Sequence, residues 1–156
     1  MTCIKSLLSP EVEIILTGEE KHAPTYGSDM AAGMDLRVVV PDGEIKLSPG
    51  EQQKLSAGFR LNMLTKNVAF VVIPRSGSGS KGAHLANVVG LIDADYQGEV
   101  FLVIKNNSSG NLLIADGDRI AQGIFVPVVH PALKRVAGFS TTTERGAGGF
   151  GSTGTK

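Results

Sequence analysis

Short β-branched apolar runs, each closed within a few residues by a turn signal, constrain this chain more than any other feature. Val68-Ala-Phe-Val-Val-Ile73 and Val100-Phe-Leu-Val-Ile104 are too brief for ordinary helices and read as strands buried on both faces. Phe59, Leu61 and Met63 alternate with Arg60 and Asn62, the period-2 pattern of a half-buried strand. Ile120 to Val129 is a further strand candidate, bounded by Pro127 and Pro131. Between the runs lie Pro41-Asp-Gly43, Ser48-Pro-Gly50, Asn106-Asn-Ser-Ser-Gly110 and Asp116-Gly-Asp118, each with turn chemistry. Turns at this spacing predict an all-β sandwich, barrel or jelly roll. There is no long amphipathic helix pattern and no internal repeat.

A chain of 156 residues buries roughly two thirds of its unfolded surface in one core, so one domain is expected. Fifteen basic and fifteen acidic residues balance, giving no field that favours nucleic acid or a membrane surface. Any anionic ligand must therefore be held by local groups. Cys3 is the only cysteine, which excludes an internal disulfide and fits a reducing cytosol. His22, His84 and His130 are too dispersed to define a zinc site by spacing. The acidic residues that follow Ile4 to Leu8 are unlike a signal peptide, and no apolar run reaches bilayer length.

Three segments carry chemistry. In Gly90-Leu-Ile-Asp-Ala-Asp-Tyr-Gln-Gly98, an extended backbone would put Asp93 and Asp95 on one face; a hairpin tip with two solvated acids is the other reading. Pro74-Arg-Ser-Gly-Ser-Gly-Ser-Lys-Gly82 reads as a loop without a helix, either a phosphate cradle flanked by Arg75 and Lys81 or a flexible surface loop. From Ser140 the chain is poor in core formers. Such a tail is either disordered or a ligand-binding segment, for which Arg145, Phe150, Ser152 and Thr153 suit a phosphate and a flat ring. The G-x-G-x-x-G string at Gly146 to Gly151 lacks the strand and helix of a dinucleotide fold, and S-x-x-K at Ser78 to Lys81 lacks its partner motifs.

Ala32-Gly-Met-Asp-Leu36, Pro74-Arg-Ser-Gly77, Gly90 to Gly98, Gly117-Asp-Arg-Ile-Ala-Gln122 and Arg145 to Gly154 together resemble, in order, the five motifs of the homotrimeric dUTP pyrophosphatases. The resemblance implies a distorted jelly-roll subunit of the β-clip type over residues 1–139 and a Gly-rich arm over 140–156 that closes a neighbouring active site. It implies a cytoplasmic homotrimer with shared sites that binds neither nucleic acid nor membrane. The implied reaction is Mg2+-dependent hydrolysis of dUTP to dUMP and pyrophosphate by water attack on the α-phosphorus, which keeps uracil out of DNA and supplies dUMP for thymidylate synthesis.

Residue by residue, the resemblance makes Asp93 the general base and Asp35 the holder of Mg2+ through bound water. Arg75, Ser76, Gly77 and Gln122 become phosphate contacts, joined by Arg145, Gly151, Ser152 and Thr153 of the arm. Uracil falls to Asn87, Gly90, Leu91, Ile92, Asp93 and the strand near Phe101, with Tyr96 on the sugar and Phe150 stacked over the base. Two roles stay open for Arg119, a donor at the site or a structural ion pair with Asp95. His84 is expected at the surface or an interface. A dCTP deaminase of the same superfamily, or a binding protein on the same fold, are the competing readings.

Overall fold

The computed structural model describes residues 10–149. Among these residues eleven strands form, β1 Val12–Leu16, β2 Thr25–Tyr26, β3 Met34–Arg37, β4 Glu44–Leu47, β5 Gln52–Met63, β6 Val68–Pro74, β7 Ala83–Leu85, β8 Gly90–Ile92, β9 Glu99–Asn106, β10 Leu112–Ala115 and β11 Arg119–Pro127. They make a five-stranded sheet in the order β2-β3-β11-β6-β8, a four-stranded sheet β1-β5-β9-β7 and a β10-β4 pair. Every strand pairing is antiparallel. The architecture is all-β, as the strand and turn spacing predicts, and is the jelly roll that the family resemblance implies; among the described residues no helix is long and apolar enough to cross a membrane.

The core forms where the two larger sheets face each other. Phe59 of β5 and Phe70 of β6 are fully buried and meet edge to face, with ring centroids 6.3 Å apart. Phe70 also lies 4.9 Å from Phe125 of β11. Gly123 on β11 makes that packing possible, because a Cβ there would lie 2.0 Å from Phe70 Cζ. The predicted alternation in β5 holds: Phe59, Leu61 and Met63 are buried while Arg60 is exposed.

Two expectations change. Val100 to Ile104 is buried on one face only, with Val100, Leu102 and Ile104 inward and Phe101 41% exposed, because among the described residues no layer covers the outer face of β9. The Gly/Ser stretch after β6 is not a plain loop: Ser76–Ser80 closes into a single helical turn, α1, with Gly79 N–H donating to the Arg75 carbonyl at 2.8 Å. Its glycines lower helix propensity, so the turn depends on its tertiary anchor, the Ser78 hydroxyl donating to the Arg119 carbonyl at 2.7 Å.

Buried polar side chains are satisfied. Asn106 donates to the Leu47 and Gly110 carbonyls at 2.9 and 2.7 Å and accepts from Ser108, which fixes the predicted 106–110 turn. His22 is 1% exposed; its Nδ1 accepts from the Glu19 N–H at 3.0 Å, so Nε2 carries the proton and donates to Asp116 Oδ1 at 3.0 Å. The last strand ends at Pro127, and the described chain beyond Val128 is almost entirely exposed.

Candidate functional site

The predicted nucleoside-binding residues converge on one cleft of about 360 Å3. It opens between β8, the edge strand of the five-stranded sheet, and β9 of the other sheet, and is lined by Asn87, Gly90, Leu91, Ile92, Asp93, Tyr96 and Phe101. Among the described residues only β6 pairs with β8, so one side of the β8 backbone has no strand partner there. Such an edge offers N–H and C=O groups in fixed directions, the means by which a backbone can pair with the edge of a flat heterocycle.

Beyond β8 the chain turns rather than extends, with Tyr96 N–H donating to the Asp93 carbonyl at 3.1 Å. Of the two readings of this segment the structure takes the hairpin tip with solvated acids, because the turn preference of Asp-Ala-Asp prevails over strand continuation. Asp93 lines the nucleoside cleft and also an adjoining depression with Asp95, Lys66 and His130, whereas Asp95 does not reach the cleft. Both carboxylates are exposed, and among the described residues neither side chain has a hydrogen-bond partner, which leaves Asp93 open to water. Tyr96 folds back along its own hairpin, its hydroxyl donating to the Glu99 carbonyl at 2.9 Å.

The phosphate-binding candidates form a second cluster. Asp35 on β3 is largely buried and is ion-paired with two guanidiniums, Arg75 Nε at 2.7 Å and Arg119 Nη1 at 3.0 Å, the latter donating a hydrogen bond. This corrects the suggested Arg119–Asp95 pair, since the β3–β11 pairing carries Arg119 to Asp35. Gln122 is registered opposite Asp35 on one side and Ile73 on the other, so it shares their face, and its amide donates to the Pro74 carbonyl at 3.3 Å. Ser76 and Gly77 open α1 beside Arg75, and both are exposed. Arg75, Gly77 and Arg119 line a depression of about 340 Å3 that shares no residue with the nucleoside cleft.

Within one chain, then, the two halves of the candidate site are separate. Arg145 is exposed in a turn and lines neither the cleft nor the arginine depression. Phe150, Gly151, Ser152 and Thr153 lie outside the described residues. His84 is exposed, as expected, and contacts the Gly79 carbonyl at 3.1 Å.

Sequence reasoning missed several residues here. Lys54 of β5 places Nζ 3.9 Å from the centroid of the Phe101 ring, a cation–π contact at the cleft wall. Val88, between Asn87 and Gly90, adopts φ 65, a conformation that β-branched residues rarely tolerate and that marks local strain beside the cleft. Glu99, which also lines the cleft, accepts from the Thr17 hydroxyl at 2.6 Å and from the Ser56 hydroxyl. Those two hydroxyls hold its carboxyl below the usual range, Ser56 the more strongly. No local sequence pattern signals these contacts, because each joins distant strands.

Among the described residues no three His, Cys, Asp or Glu side chains gather into a metal cage. Asp35 is the one predicted metal-holding residue, and each of its oxygens keeps a lone pair free beside its arginine contact. That donor set suits an ion such as Mg2+, which keeps its waters and takes inner ligands from substrate phosphates.

A jelly roll with a cleft edged by the β8 backbone and a separate arginine–carboxylate cluster defines a class of antiparallel β protein with two distinct polar sites. Comparison with known sequences narrows the class: a protein-family model described as dUTPase matches residues 19–154. The deoxyuridine 5'-triphosphate nucleotidohydrolase of Serratia proteamaculans is 44% identical over 138 residues, 88% of this chain and 90% of that protein. The protein of the same name from Hamiltonella defensa is 47% identical over 138 residues, with the same shares covered. The chain belongs to the dUTPase family. Among solved structures, the dUTPase of Staphylococcus bacteriophage 80alpha with dUPNHPP superposes with a TM-score of 0.81 at 26% identity, covering 94% of this chain and 99% of that one. A mutant dUTPase from phage phi11 of S. aureus, described with a structural Mg(II) ion, gives a TM-score of 0.72 at 25% identity and covers 84% of this chain and 99% of that one.

Proposed function

We propose that this chain is a dUTP diphosphatase, hydrolysing dUTP to dUMP and pyrophosphate. The observation that carries the reading is the cleft in which the unpaired β8 edge, Asp93 and Tyr96 meet. The backbone of β8 pairs with uracil there. Backbone groups cannot rotate, so cytosine's exchanged donor and acceptor leave buried groups unpaired at about 1–3 kcal/mol each. Tyr96 packs on the deoxyribose and leaves no room for a 2'-hydroxyl.

Asp93 accepts a proton from the water that attacks the α-phosphorus, a role worth about two to four orders of magnitude in rate. Arg75, Ser76, Gly77 and Gln122 orient the triphosphate and offset its charge, which is most of what phosphoryl transfer requires of a protein. Asp35 would hold Mg2+ through bound water, and the ion would supply neutralisation of the triphosphate charge.

The separation of the two clusters supports a homotrimer in which one subunit supplies the nucleoside cleft and a neighbour the phosphate contacts. A groove of about 570 Å3 lined by Val12, Ile14, Tyr26, Met34 and Phe125 supports the same assembly. So do Val129, Leu133 and Phe139, which are 85%, 93% and 93% exposed in the isolated chain. Residues 1–139 form the jelly-roll unit in this reading, and the arm over 140–156 brings Arg145, Ser152 and Thr153 to the outer phosphates and Phe150 over uracil. The enzyme works in the cytoplasm.

Product analysis with dUTP, dCTP, dTTP and UTP in Mg2+ tests the proposal. Pyrophosphate release confined to dUTP is the expected result; deamination of dCTP, or no turnover at all, overturns it. Sedimentation should give a trimer, and a monomer with full turnover contradicts the shared site.

A further inference from the structure

The pairing of β5 with β9 is irregular at one place, and the nucleoside cleft lies beside it. Between the pairs Ser56↔Phe101 and Arg60↔Glu99, β5 advances four residues while β9 advances two. The extra length forms a bulge in which Gly58 takes φ +77 and its carbonyl accepts from the Thr17 and Gly18 N–H groups at 2.8 and 3.0 Å. Three distant positions therefore meet. The Thr17 hydroxyl at the end of β1 donates to Glu99 Oε1 at 2.6 Å, the Ser56 hydroxyl donates to the same oxygen, and the Gly58 N–H donates to Ser56 Oγ at 2.8 Å.

Glu99 is thus fastened to the body of the domain by its side chain, while its backbone faces the hairpin of the cleft. Its carbonyl accepts the Tyr96 hydroxyl at 2.9 Å. The tyrosine ring lies so close over residue 98 that a Cβ on Gly98 would sit 2.5 Å from the Tyr96 hydroxyl oxygen. A partly exposed aromatic on a short hairpin has little else to fix its rotamer; the Glu99 carbonyl and the close floor at Gly98 supply that constraint.

We propose that Glu99 is the positioning residue for sugar selection, its carboxylate anchored by Thr17 and Ser56 so that its carbonyl clamps Tyr96 against the 2' position of the substrate. The inference rests on the reading of this cleft as the deoxyuridine end of the site. It assigns Glu99 no contact with the reacting atoms. Loss of the anchor weakens discrimination between dUTP and UTP rather than the chemical step.

The test uses the full chain in Mg2+, with kcat and KM for dUTP and UTP and the melting transition recorded for each variant. Glu99→Ala should lower the dUTP-over-UTP ratio of kcat/KM about tenfold, mainly through KM. Glu99→Gln, whose amide oxygen still accepts from both hydroxyls, should stay within about twofold of the parent ratio. Tyr96→Phe removes only the clamp bond and should match Glu99→Ala, and the double variant should lose no more than either single change. If Glu99→Ala does not fold, Thr17→Val with Ser56→Ala removes the same anchor and should give the same loss.

A ratio unchanged by loss of the anchor, a Gln variant as impaired as the Ala variant, or additive losses in the double variant overturns the proposal. Tyr96→Ala separates the two levels. If it abolishes discrimination while Glu99→Ala does not, the site reading stands and the role of Glu99 falls. If it leaves discrimination intact, both fall.

Discussion

Arg75 Nε lies 2.7 Å from Asp35 Oδ1, joining the residue before α1 to the middle of β3 across the face of the five-stranded sheet. With Arg119 on the other carboxylate oxygen, Asp35 sets the orientation of two guanidiniums that are 27% and 48% exposed and can present their remaining donors to an anion.

Removing that carboxylate should therefore affect both stability and substrate binding. Asp35→Ala leaves the partly buried Arg75 and the exposed Arg119 without their partner, and a stability loss of about 1 kcal/mol is expected from the denaturant midpoint. The apparent Mg2+ requirement should rise in the same variant. Parent-like Mg2+ dependence would show that Asp35 only orients the arginines.

Asp93→Asn keeps the shape of the side chain and removes its basicity. Ligand binding, followed with a non-hydrolysable dUTP analogue, should persist while turnover falls at least about a hundredfold. Because Asp93 is exposed and unpaired among the described residues, the melting transition should hardly move.

Deleting residues 145–156 should leave the melting transition nearly unchanged, since the described part of that segment is almost wholly exposed and outside every strand. Turnover should collapse if the arm completes the site. A marked drop in melting temperature would assign the segment a structural role instead.

Acid sensitivity should trace to Asp116. Burial acts to raise its carboxyl, but the Lys21 ammonium, the Val40 N–H and His22 prevail and hold it at about 2 against an ordinary 3.8. A depressed folded-state value means that the group's stabilising contribution is complete above the unfolded value and is lost as pH falls from about 4 towards 2. Melting temperature measured across that window should drop less steeply in Asp116→Asn than in the parent. The variant should also be less stable at neutral pH, because His22 and Lys21 lose their charged partner.

Local chemistry made much of this protein readable in advance. The alternation of Phe59, Leu61 and Met63, the turn residues at 41–43 and 116–118, and the order of short apolar runs require only neighbours along the chain, and they led to an all-β fold, which the motif resemblance narrowed to the jelly roll. The motif residues Asp93, Tyr96 and Gly90 to Ile92 were likewise legible, and the fold gathers them in one cleft. What the chain could not declare by itself were the partners across strands. Arg119 meets Asp35 and not Asp95, Val100 to Ile104 shows one face to solvent, and Thr17, Ser56 and Glu99 meet at a bulge. Each of these depends on register and on which layer covers which face. Register is set by the summed packing of whole sheets, so only the tertiary structure decides it.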